Sequence, residues 1–491
     1  MSLHKHVDAK SLSPRRLLPP TTTDRSIADR VTIEVLPDNV LVEIFDLYVN
    51  HRNAPVNEWH TLIHVCRRWR HLIFVSPRRL GLQLEYRGNR PRTVLFGGFP
   101  ALPLVITQSR WYASNRALCV DNIVSILVSE EHLDRIFKLD LWNVPSLHWE
   151  RIAVAMQKPF PQLTFLQLGS KGGEISALSD SFLGGSAPLL RSLRLFGIPF
   201  PAMHRLVSSA KDLVTLHLRD IPHRGYISPQ SMVDSLSALA RLEILFLSFQ
   251  SPQSRPDPPT RRPPPLAPSV LPALTYFRFR GVSEYLEDMF VRMDAPLLHD
   301  LHIEFFMDLI FDVPQLHRFI SHPEELRKLR QATVNFSRHY VTITLSHRRT
   351  AAGHGQFWLQ TRCRESDWLL SCVAQVCRSS LPPLSVLDHL YIMDDRSIPP
   401  RWKDVESTQW LELLDPFTAV KNLFLTEDVA IHFGHALQQL GAQRATAVLP
   451  ALQTIFLKDY RPQGPVQGAI RQFVSARQSS RHPVAIRRWE E

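Results

Sequence analysis

Cysteine and glycine are scarce in this chain of 491 residues, with five of the one and 18 of the other. The cysteines (Cys66, Cys119, Cys363, Cys372 and Cys377) form an odd, scattered set, unlike the framework of a disulfide-stapled domain. No run approaches the roughly 18 apolar residues of a membrane helix. Residues 1–24 are polar and lack the apolar centre of a signal peptide. The expectation is a cytoplasmic or nuclear protein without membrane association, in which the sequon Asn335-Phe336-Ser337 stays unmodified.

Catalytic spacing is missing too. Gly169-Ser170-Lys171-Gly172-Gly173 has the ingredients of a phosphate loop in the wrong order, because the lysine should follow the second glycine. Gly184-Gly185-Ser186-Ala187-Pro188 puts proline where a nucleophile elbow needs glycine. Cys363, Cys372 and Cys377 with His354 lack the paired short spacing of a structural zinc site, and Cys372 reads as an apolar filler beside Trp368, Leu369 and Val376. A non-catalytic protein with no metal and no cofactor is expected.

What is present is ordinary globular material, 44% hydrophobic and 21% charged, which excludes general disorder. The length exceeds what one compact core fills, so several domains or an elongated array should result. The net charge of +11 is compatible with acidic partners without demanding them.

From residue 136 one apolar spacing recurs: Ile136-Phe-Lys-Leu139-Asp-Leu141, then the same pattern from Leu163, Leu190, Leu213, Leu242, Leu274 and Leu298, and again from Leu387, Val420 and Leu452. The steps run from 23 to 33 residues, with helix-periodic stretches between, such as 201–211, 231–240, 284–293 and 407–414. This is the signature of a leucine-rich repeat, one short strand and one returning helix per unit. A doubly wound sheet would also alternate strand and helix, but its strands, buried on both faces, read as continuous apolar runs, whereas these alternate. Between 304 and 386 the register is not legible. That stretch holds strand-like Val341–Leu345 and Phe357–Leu359 and a helical 366–377, room for one or two degenerate repeats. Residues 252–268 hold eight prolines and form an inserted loop, whose Pro256-x-x-Pro259-x-Arg261 could dock on an aromatic-lined groove.

Residues 33–80 read as a compact helical unit. Pro37 stands at a helix start, and Val40, Leu41, Ile44, Phe45 and Tyr48 follow at helical spacing. Trp59, Leu62, Ile63 and Cys66 mark a second helix, and Trp69, Ile73 and Phe74 a third, stopped by Ser76-Pro77. Some fifty residues cannot bury so much apolar surface alone, so the unit either caps the repeats or holds a partner. Leu36-Pro37, the stripe to Ile44-Phe45 and the block Val65-Cys66-Arg67-Arg68-Trp69 together resemble an F-box. The link at 48–57 is longer than usual, and Leu80-Gly81 replaces the customary closing Leu-Trp. The whole chain resembles the leucine-rich-repeat-like F-box proteins that basidiomycete fungi carry in large numbers.

That resemblance implies an α/β protein: a small all-helical F-box module, then a leucine-rich-repeat-like solenoid of short parallel strands with returning helices. The expected divisions are a disordered lead-in at 1–30, the F-box at 33–80, a connector at 81–130, the solenoid at 131–460, and a C-terminal cap and tail at 461–491. It further implies docking on a Skp-type adaptor, and through it a cullin ubiquitin ligase. Leu36, Pro37, Val40, Leu41, Ile44, Phe45, Val65 and Trp69 would make or support that contact.

In leucine-rich strands the leucines point inward and their alternates line the concave face. The alternates include Arg194, Phe196, His217, Arg219, Phe246, Tyr276, Arg278 and Arg280. Arginine interleaved with aromatics suits an acidic or phosphorylated protein substrate. The same face leaves open a scaffold without ligase association and, third, a nucleic-acid-binding repeat protein, although no nucleic-acid motif accompanies it.

Overall fold

The computed structural model describes residues 33–49, 59–75, 80–88, 102–108, 116–129, 132–252 (except 171, 173 and 174), 267–306, 313–347, 355–362, 368–395 (except 380, 382 and 383), 397, 400, 402, 406–438, 446–458 and 465–489. It divides into two compact units, residues 1–82 and 83–491. The proposed lead-in at 1–30, most of the proline-rich loop and the long link after Tyr48 lie outside the described residues.

Among its described residues the first unit holds three α-helices, α1 (Asp38–Val49), α2 (Trp59–Ile63) and α3 (Arg67–Val75), after a 3-10 turn at Ile33–Val35. Asp38 sits in the first turn of α1, where a carboxylate favours the helix dipole. Arg68 of α3 ties that turn down, donating to Asp38 Oδ1 at 2.7 Å and to the Leu36 carbonyl at 2.6 Å.

Among the described residues the second unit is a mixed α/β repeat array on a sheet of 16 strands, with a separate two-stranded sheet of Ser269–Val270 and Met293–Asp294. Counting only the strands of the larger sheet, β1–β9 are Leu84–Tyr86, Leu104–Thr107, Ile136–Val144, Phe165–Ser170, Ser192–Phe196, Thr215–Ile221, Ile244–Phe249, Tyr276–Gly281 and Asp300–Phe305. They stand side by side in chain order, every pair parallel. Each leucine spacing supplies a strand. Leu193 and Leu195, Leu245 and Leu247, and Phe277 and Phe279 are buried, and the residues between them are half-buried. Helices return between strands where local signals allow. Ser228 accepts from the Ser231 N–H ahead of Pro229, and Glu406 with Gln409 closes a capping box on Ser407–Leu414.

The stretch without legible register is not a pair of degenerate repeats. Its strands β10 (Gln331–Phe336), β11 (Tyr340–Ser346) and β12 (Gln356–Arg362) form an antiparallel meander, laid into the sheet in reverse order. β12 pairs with β9, β11 with β12 and β10 with β11, and β10 then pairs parallel with β13 (His389–Asp394). The reason lies in connection length. Three residues separate β10 from β11, enough for a hairpin and far too few for the crossover that parallel neighbours need. Parallel order resumes through β14 (Asn422–Leu425), β15 (Thr454–Leu457) and β16 (Ala485–Arg488).

Two boundaries also shift. The stretch 81–130 is not merely a connector: it contributes β1, β2 and the helix Arg116–Val128 to the array. The C-terminal stretch after 461 supplies the helix Pro465–Ser479 and the edge strand β16. These three strands are only three or four residues long and lack the full leucine spacing, so pairing with a neighbouring strand defines them.

Candidate functional site

α1 carries two apolar faces. Leu41, Val42 and Phe45 are buried, and Phe45 packs its ring against Trp69 of α3. On the other side Val40, Ile44, Leu47 and Tyr48, at the i, i+4, i+7 and i+8 positions of one stripe, stay exposed, Leu47 by 74%. Val65 between α2 and α3 is 58% exposed, and Val35 of the 3-10 turn 70%. The eight residues singled out in this unit therefore separate. Leu41 and Phe45 are core and Trp69 braces it. Pro37, Val40, Ile44 and Val65 are open to solvent, and Leu36 is half-buried. Leu47 and Val35 were not legible as surface positions, because an apolar helix residue reveals its direction only against packed neighbours.

The face opposite the leucines in the second unit is a continuous cross-strand ladder. Arg194, His217, Phe246, Arg278, His302 and Trp358 are partners in register from β5 through β9 to β12. Phe246 stacks on Tyr276 at 5.2 Å, Tyr276 on His302 at 5.3 Å and His302 on Trp358 at 5.8 Å. Guanidinium groups lie over the rings: Arg194 over Phe165, Arg219 over both Phe196 and Phe246, and Arg278 over Phe246. All seven sequence candidates, Arg194, Phe196, Arg219, Phe246, Tyr276, Arg278 and Arg280, thus share this face.

Their charges are not equivalent. Arg280 is already matched, with Glu304 at 3.3 Å and Asp220 at 3.5 Å, and Glu304 also holds Arg362 at 3.3 Å. Arg194, Arg219 and Arg278 have no carboxylate partner among the described residues. Between them His217 is pushed down to about 3, by burial first and then by Arg194 and Arg219. It is a neutral imidazole at physiological pH, and its Nε2 has no hydrogen-bond partner among the described residues. Burial, followed by Arg278, lowers His302 as well. Tyr276 moves up, chiefly through burial.

At the carboxyl ends of β3–β7 a cleft of about 750 Å³ opens, lined in part by Trp142, Asn143, Phe196, Asp220, Arg224 and Gln250. Asn143, Asp220 and Gly197 all have positive φ there (54°, 53° and 65°), Asn143 and Asp220 at register shifts of their strands. Ser248 Oγ accepts from the Asp220 N–H at 3.0 Å, across the register shift between β6 and β7. Asn143 and Asp220 at the register shifts near the ends of β3 and β6, with Gly197 just past β5, are the only sequence trace of this cleft.

Among the described residues no cluster of three or more His, Cys, Asp and Glu could hold a metal ion, and no helix is long and apolar enough to cross a membrane. Cys377 and Cys119 are buried with their thiols pushed up by desolvation, the character of apolar filler rather than of a nucleophile.

No protein-family model matches the chain, and no curated protein does. Among solved structures it is similar to the leucine-rich repeat-containing protein LegL7 from Legionella pneumophila, at 11% identity over 65% of this chain and 93% of that one, with a TM-score of 0.24. The repeat architecture is read from strand order and register instead.

Proposed function

We propose that this chain is the substrate-recognition subunit of an SCF-type cullin ubiquitin ligase. Its first unit docks on a Skp-type adaptor as an F-box, and its repeat face holds a protein substrate. It contributes binding surfaces and no catalytic group. The observation behind this reading is the second apolar face of α1. A helix that already buries Leu41, Val42 and Phe45 leaves Val40, Ile44 and Leu47 exposed along one stripe beside Tyr48, the kind of apolar surface that a partner groove takes up, and Val65 is exposed as well. The Leu36-Pro37 and Val65–Trp69 blocks supply the sequence match.

Co-expression with a Skp-type adaptor tests it. The wild type should co-purify with the adaptor, and Ile44→Asp with Leu47→Asp should abolish this while circular dichroism stays unchanged. Absence of adaptor from the wild-type preparation overturns the ligase role.

A scaffold without ligase association is the second reading, favoured by the length and regularity of the arginine–aromatic ladder on its own. Nucleic-acid binding fits less well. Stacked bases need free ring faces, and the faces of Tyr276 and His302 are taken up by neighbouring rings.

A further inference from the structure

We propose that the ladder on β5–β8 is a docking strip for an extended acidic peptide, carrying carboxylates about four residues apart and crossing the strands. This rests on the repeat face being a partner-binding surface, which both leading readings hold, and does not depend on the ligase assignment.

The occupant follows from charge and geometry. Arg194 and Arg278 stand in the same cross-strand row with His217 and Phe246 between them, three strand intervals apart. At about 4.8 Å per interval that is roughly 14 Å, which an extended chain spans in about four residues at about 3.3 Å each. Arg219 lies one strand from Arg194 and two residues further along, within reach of the same peptide.

Each of the three guanidinium groups lies over a ring, Phe165, Phe196 or Phe246, and none has a carboxylate partner among the described residues, although Arg278 also hydrogen-bonds the Tyr276 side chain. Phe246, Tyr276, His302 and Trp358 are stacked face to face, so the rims they present are the positive part of the aromatic quadrupole. Three nearby carboxylates are already engaged: Asp220 by Arg280, Glu304 by Arg280 and Arg362, and Asp300, opposite Tyr276, by His299 and the Gln356 N–H. His217 is at least nine-tenths buried, with Nε2 unpartnered among the described residues, and stands between Arg194 and Phe246 as a neutral polar group in the row.

The test uses the full-length chain without adaptor, so its outcome is separate from adaptor docking. Fluorescence anisotropy is read with a labelled 16-residue Gly/Ser peptide carrying glutamate at every fourth position. Comparison probes are the glutamine version, an isomer with the glutamates contiguous, the phosphoserine version and a poly-dT strand. The spaced glutamate peptide should bind, with affinity falling as salt rises. Arg194→Ala with Arg278→Ala should weaken it by about tenfold or more, since two charge-assisted pairs are lost. Arg205→Ala, an exposed arginine on a helix away from the ladder, should leave it unchanged. Equal binding of the glutamine peptide, or an unaltered affinity in the correctly folded double variant, overturns the proposal. Tighter binding of the contiguous isomer overturns the spacing, tighter binding of the phosphoserine peptide overturns carboxylate as the recognised group, and tighter binding of poly-dT establishes the nucleic-acid reading in its place.

Discussion

Phe45 and Trp69 meet ring to ring, with centroids 4.8 Å apart and planes inclined by 58°. The contact joins α1 to α3 and turns Phe45 inward, which leaves its chain neighbour Ile44 on the outer face.

Adjacent residues should consequently fail in different ways. Phe45→Ala removes a fully buried ring and should cost about 3–5 kcal/mol, melting the helical unit and with it the proposed adaptor binding. Ile44→Ala should cost under about 1 kcal/mol, because the side chain is partly exposed, yet still weaken the proposed adaptor binding. Thermal melts and co-purification, measured side by side, separate the two. Equal destabilisation would show that the stripe on α1 is core rather than docking surface.

His217 makes stability depend on pH in a definite direction. Unfolded, its imidazole takes a proton near 6.5, and folded only near 3. Between those values the unfolded chain holds more protons, so the stability tied to this residue is complete above pH 6.5 and declines as pH falls toward 3. The slope from one such group is at most about 1.4 kcal/mol per pH unit. Relative to His217→Gln, the wild type should lose more of its urea midpoint between pH 7 and pH 5. Parallel losses in the two proteins would mean that His217 protonates in the folded state.

Arg477 is fully buried in the helix Pro465–Ser479, and its guanidinium reaches the carbonyls of Thr446, Val448, Leu449, Pro450 and Leu452 at 3.3–3.5 Å. Arg477→Met should strand those acceptors and loosen the end of the array by about 2–4 kcal/mol. Arg477→Lys should rescue little, because a point ammonium cannot serve a fan of five carbonyls. Hydrogen exchange should quicken at 446–458 and at β16 while β5–β8 remain protected. Uniform quickening would indicate that the array unfolds as one body.

Glu304→Gln should tighten the binding of the spaced glutamate peptide, since it releases both Arg280 and Arg362 from their shared carboxylate. An increase of severalfold at low salt, fading at high salt, is the expected result in the anisotropy assay. Weaker binding would mean that Glu304 positions Arg280 for the ligand rather than withholding it.

The sequence by itself determined which residues form the repeat strands and which way they point. The recurrent leucine spacing is a local, period-2 property, so Arg194, Arg219 and Arg278 could be assigned to the open face before any packing was known. The helices at 33–75 were legible for the same reason, through spacing and Pro37. Tertiary structure decided everything that depends on sideways neighbours. Arg278 and Arg280 look alike in the chain, yet Glu304 and Asp220, 24 and 60 residues away, neutralise only Arg280. The reversed meander at 331–362, the division between Ile44 and Phe45, and the cleft at the ends of β3–β7 are of the same kind. Each is set by lateral register and by what packs alongside, and a one-dimensional pattern carries neither.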